Sequence, residues 1–252
     1  MIPILKRSIV GASLLLTAVA SASAATLAVD INNSTPSATQ SGFVGYTANA
    51  ASELSTTFSY ADTQNGTLTF VVTGLSGDNN RDRGTGNLGG VTNADLYRDI
   101  LFDNANQTGA DAFDITFSGL LANSAYTFKF YAFDAGNPTN GNTNTFTLNT
   151  AGATFGGVNG TSYDTAGAAA VAGPNGNSVT NSGNPTSNDQ YAVVLTGTTN
   201  SSGNIGFTQT GSAFPTLNGF VITPVPEPSA LMAVLSGGGV LLGLRRRRAV
   251  TA

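Results

Sequence analysis

An all-β domain, built as a β-sandwich or jelly roll of about nine or ten strands, is what the sequence predicts. Three observations predict it. Charged residues make up only 10% of the chain, against roughly 25% in ordinary soluble domains. The polarity is carried instead by Asn, Thr, Ser and 31 glycines, the residues of turns and strand faces. Between those turn signals run aliphatic and aromatic stretches of about four to eight residues, the length of strands rather than helices. A signal helix is expected before this domain and a hydrophobic helix after it.

Taken in order, the strands begin with Thr56 to Tyr60 and Thr67 to Val72, which flank Asn65-Gly66. That dipeptide accepts the positive φ of a tight hairpin. Phe113 to Phe117 (FDITF) alternates apolar and polar residues, as a half-buried strand does. Tyr126 to Phe133 (YTFKFYAF) is aromatic on both faces, which predicts a central strand covered on both sides. Thr145 to Leu148, Ala168 to Val171, Tyr191 to Thr196, Asn204 to Phe207 and Leu217 to Ile222 complete the set. No amphipathic helix stands out, and no linker divides residues 25–223 into two domains.

The chain has no Cys, His or Trp. It therefore has no disulfide framework, no Ser-His-Asp or Cys-His catalytic group, and no imidazole for zinc. A glycosidase needs a protonated carboxyl facing a second carboxylate. Between the two ends Glu53 is the one glutamate, so such a pair would have to be drawn from aspartates. The expectation is a protein that is not an enzyme.

Two aspartate groups are candidate cation ligands. Asp78, Asn80 and Asp82 alternate as the oxygen ligands of an EF-type Ca²⁺ loop do. Arg83, however, stands where that loop needs Gly, and Gly89 where it needs Glu. A polar turn with internal Asp–Arg pairs is the plainer expectation; a structural Ca²⁺ is the one cofactor the sequence suggests. Asp95, Asp99 and Asp103 are spaced four apart and would share one face of a helix. If LYRDILF is a strand, that group breaks up. Asp134, beside Gly136-Asn137-Pro138, is expected to form a turn. Lys129 is expected to snorkel at a sheet surface, or else to be a buried partner for an Asp. A sugar site would use Tyr46, Tyr60, Tyr97, Tyr163 or Tyr191 as stacking platforms.

The two ends carry the addresses. Residues 1–24 have the three parts of a secretory signal peptide. Lys6 and Arg7 form the basic region, Ser8 to Ala20 the apolar region, and Ala22-Ser23-Ala24 the small-residue site for signal peptidase. At the other end, Ala230 to Leu244 is an uncharged run of 15 residues, short for a bilayer span. Arg245, Arg246, Arg247 and Arg248 follow it and would stay on the cytoplasmic side.

Val225-Pro226-Glu227-Pro228-Ser229, an apolar helix and a terminal arginine cluster together resemble the PEP-CTERM sorting signal. The match covers residues 224–252. It implies recognition by an exosortase in the inner membrane, cleavage near Pro226, Glu227, Pro228 and Ser229, and delivery to the surface or exopolysaccharide matrix of a Gram-negative bacterium. Residues Asp103 to Asp134, with the Gly119-Leu120 to Tyr126 corner, and the LNGFVITPVPEPS junction resemble the passenger body of that family. This resemblance implies a galactose-binding-like jelly roll. The expected role is structural or adhesive, with a carbohydrate-binding module as the alternative. Removing both ends takes away six of ten basic residues and Glu227, leaving a net charge of −9. Such a surface repels nucleic acid.

Overall fold

The computed structural model describes residues 25–33, 38–49, 53–75, 80–86, 88–103, 112–149, 151, 154–155, 161–163 and 177–226. The expected signal helix with Ala22 and Ala24 lies outside these residues. So do Asp78, the predicted strand Ala168 to Val171, Glu227, Pro228, Ser229, and the apolar run with Arg245 to Arg248.

The described chain is mostly β. Its strands are β1 (Leu27–Asn32), β2 (Val44–Thr47), β3 (Glu53–Ser59), β4 (Thr67–Thr73), β5 (Asn80–Asp82), β6 (Asp99–Phe102), β7 (Ala112–Ser118) and β8 (Ala125–Tyr131). They continue as β9 (Thr143–Leu148), β10 (Thr154–Phe155), β11 (Thr161–Tyr163), β12 (Ser178–Thr180), β13 (Ala192–Thr198), β14 (Ile205–Gly211), β15 (Thr216–Leu217) and β16 (Gly219–Pro224). One short helix, α1 (Ala94–Arg98), precedes β6.

Two large sheets form the sandwich. The first runs β10-β13-β8-β16-β1-β2, with β11 also paired to β13. The second runs β12-β9-β14-β7-β4-β3, and a small third sheet runs β15-β6-β5. β3 and β4 do form a hairpin, but its loop is longer than a tight Asn-Gly turn: it runs from Tyr60 to Gly66, with Gly66 at φ 74° and the Tyr60 amide donating to the Gly66 carbonyl.

Phenylalanines fill the space between the two sheets. Phe128 and Phe130 of β8 meet Phe117 of β7, Phe146 of β9 and Phe207 of β14, with ring centroids 4.6–6.3 Å apart. On the neighbouring strand Phe220 packs on Phe70 at 4.8 Å. Burying each such ring contributes about 1.5–3 kcal/mol, and close aromatic pairs add somewhat more. β8 sits mid-sheet between β13 and β16, as its two-sided aromatic pattern predicts. Its outer face is covered at Tyr131, whose ring lies edge-on to Phe43 and Tyr97.

The predicted strand Leu217 to Ile222 is in fact two. Asn218 is fully buried at the corner between β15 and β16. Its Oδ1 accepts from the Phe133 amide, and its Nδ2 donates to the carbonyls of Asp99 and Phe133. One side chain thus ties the small sheet to the first large one.

Candidate functional site

The loop singled out for cation chemistry is built around arginines. Asp82, at the end of β5, accepts from Arg98 Nε at 2.9 Å and from the Gly84 amide on Oδ1, while Arg98 Nη2 donates to Oδ2. That guanidinium holds the Asp82 carboxyl below its ordinary range. Asn80 turns its amide nitrogen to the backbone, donating to Ala48 at 2.7 Å and Asn32 at 3.2 Å. Both oxygens of Asp82 are engaged by donors, which does not suit a cation loop, and its arginine comes from α1 and not from within the turn as expected. Arg83 reaches instead to buried Asp134, 3.0 Å away, and lies across Gly136. Asp134 also accepts the Gly136 amide, as a turn residue does. Among the described residues, no group of three or more acidic side chains is placed to hold a metal ion.

Asp95, Asp99 and Asp103 do not share a helix face. The helix ends at Arg98, so Asp95 is on α1, Asp99 opens β6 and Asp103 follows it. Asp99 and Asp95 instead bear on a carboxyl that sequence reasoning missed, Asp30 of β1. Asp30 is fully buried; its Oδ2 accepts the Gln40 amide at 2.7 Å, and its Oδ1 has no hydrogen-bond partner among the described residues. Burial pushes its pKa up to about 7, opposed by the Gln40 hydrogen bond and reinforced by Asp99 and Asp95. The only signal in the sequence was an Asp interrupting the apolar residues Val29 and Ile31.

Lys129 pairs with Asp189 at 2.9 Å, and Tyr131 donates to the other oxygen of the same carboxylate at 3.0 Å. The pair is partly exposed, between the two readings of the sequence. Of the candidate sugar platforms, Tyr60, Tyr97 and Tyr191 are buried. Tyr97 and Tyr191 bond backbone around the 183–191 loop. Tyr46 is half-buried against Phe58 and Phe70, and the Tyr163 side chain lies outside the described residues.

The remaining tyrosines organise the end of the sandwich where the chain enters and leaves. β1 and β16 are antiparallel neighbours with Leu27 opposite Ile222, so Ala25 and Val225 lie at the same end. Val225 donates to the Ala125 carbonyl, holding the last described residues on β8. The Tyr60 hydroxyl donates toward the carbonyls of Ala25 and Ile222, at 3.1 and 3.4 Å, joining entry to exit. The Ala25 nitrogen donates to Asp62 Oδ2 at 2.9 Å. The carbonyl of Asp62 in turn accepts the hydroxyl of Tyr126, a fully buried residue whose oxygen also takes the Leu121 amide. Here the Gly119-to-Tyr126 corner becomes a physical latch, with Gly119 at φ 91°.

No family model matches the chain, and neither a curated protein nor a solved structure matches it.

Proposed function

We propose that this chain is an exported protein, sorted by an exosortase and delivered to the cell surface or the exopolysaccharide matrix of a Gram-negative bacterium. In this reading signal peptidase removes residues 1–24, and the tail from Pro226, Glu227, Pro228 and Ser229 to Arg248 holds the passenger in the inner membrane until it is cut. The passenger, a galactose-binding-like jelly roll, serves a structural or adhesive role there.

The observation that carries the reading is that β1 and β16 are antiparallel neighbours, which brings Ala25, just before β1, and Val225, just after β16, to the same end of the domain. A domain whose two ends leave together can fold completely while a leader and a tail are both held in one membrane. Either segment can then be removed without unpairing β1 from β16. The net charge of −9 between the two ends favours solubility and association with divalent cations. A carbohydrate-binding module remains the second reading. The burial of Tyr60, Tyr97 and Tyr191 takes three stacking platforms away from it.

Fractionation in an exosortase-carrying host tests the proposal. The wild-type protein is expected in the matrix fraction, and a variant with Arg245 to Arg248 all replaced by Ser is expected to be mis-sorted. Equal distribution of the two would contradict exosortase sorting. On a glycan array, saturable binding to one defined glycan would replace the structural role with the carbohydrate-binding one.

A further inference from the structure

Asp62 receives the backbone nitrogen of the residue that follows the expected signal peptidase site. We propose that removal of the leader turns this contact into an ion pair, so that processing itself adds a charged latch to the folded domain. The inference rests on the reading of residues 1–24 as a removable leader.

The chemistry is a peptide hydrolysis. Water adds its hydroxyl to the Ala24 carbonyl carbon, the bond from that carbon to the Ala25 nitrogen breaks, and the nitrogen leaves as an amine that takes up protons from solvent. Before cleavage the Ala25 nitrogen has one hydrogen, donated to Asp62 Oδ2 at 2.9 Å. Afterwards the same nitrogen is an ammonium at neutral pH, since a free α-amine has a pKa of about 7.7–8.0. A carboxylate at hydrogen-bond distance favours the charged form and raises that value.

The receptor is already in place. Tyr60 Oη donates to the Ala25 carbonyl at 3.1 Å and fixes the residue from its other side. Asp62 is held by its own carbonyl, which accepts the hydroxyl of core residue Tyr126 at 2.8 Å. Tyr60 and Tyr126 are the titratable groups coupled to Asp62, and both have pKa values raised by burial, so both are neutral where the amine titrates. Among the described residues the side-chain cations are engaged elsewhere: Arg83 with Asp134, Arg98 with Asp82 and Lys129 with Asp189, with Arg81 over the Phe102 ring. The new amino terminus is the cation this carboxylate is placed to take.

The sign follows from linkage. A raised amine pKa contributes stability in full below the unfolded value near 8, and the contribution is lost as pH rises through the folded value. The test uses the full chain, expressed in a secreting Gram-negative host, with the exported product recovered. Its N-terminus is sequenced, and the α-amine is titrated through the pH dependence of its acylation, read by mass spectrometry. The expected product begins at Ala25, with an amine pKa raised by half a unit or more above about 8, returning to the ordinary value in Asp62→Asn. A product beginning at Ala25 with an ordinary amine pKa overturns the latch while leaving the processing intact. A product that keeps its leader overturns the processing and the latch with it. If Asp62→Asn fails to accumulate, the wild-type pKa alone decides.

Discussion

At neutral pH the carboxyl of Asp30 titrates where most carboxyls are fully ionised, because β1 carries it into the interior beside Asp99 and Asp95. A carboxyl with a raised folded-state pKa adds stability at low pH, fully present below its ordinary value of 3.8 and lost as pH rises through about 7. Denaturant unfolding at pH 5 and pH 8 should show the wild type losing stability across that interval. Asp30→Asn should flatten the loss, since an amide oxygen can still accept the Gln40 amide and carries no charge to bury. An unchanged slope in the variant would assign the pH dependence to other groups. Asp30 was not legible in the sequence. The sequence predicts no strand over Leu27–Asn32, and only the tertiary packing around β1 decides that its Asp30 is shut away from solvent. The loop at Asp82 was partly legible: Arg83 in the place of a required Gly argued for Asp–Arg pairing. Which arginine pairs with which aspartate was not, because Arg98 arrives from α1, sixteen residues on.

The elements divide by how local their causes are. β3, β4, β7, β8 and β14 overlap strands predicted from contiguous sequence, while their ends differ: β3 begins at Glu53, β14 runs on to Gly211 and β8 stops at Tyr131. β5, β12 and β15 are only two or three residues long and exist because a neighbour pairs with them. LYRDILF joins a helix to a strand at Asp99, a change of period too short for either pattern to declare. The corner at Asn218 was equally hidden, for LNGFVI reads as one strand. Its three hydrogen bonds make a prediction. Asn218→Ala leaves the Phe133 amide and the Asp99 carbonyl buried without their partner, at about 1–3 kcal/mol for each group. Equilibrium unfolding should register a loss of at least about 2 kcal/mol, and a loss under about 0.5 kcal/mol would mean water replaces the amide. In the core, Phe130→Ala empties the contact with Phe146 and Phe207 and should cost about 3–5 kcal/mol. The same truncation at half-buried Tyr46, near the sheet edge, should cost less.

At the scale of the whole molecule, the arrangement of the ends relates the fold to the proposed role. Two large sheets packed on phenylalanine give a chain with no Cys a core that does not depend on disulfides, which is compatible with the proposed export. Pairing β1 with β16 brings entry and exit together, and Tyr60 bridges the two. In the proposed role both flanking segments are removed from the folded domain. Intact mass of the protein released into the matrix by an exosortase-carrying host tests it most directly. The account predicts one species that begins at Ala25 and ends near Pro226, lacking Arg245 to Arg248. A full-length tail recovered with the inner membrane, and no released species, would contradict it.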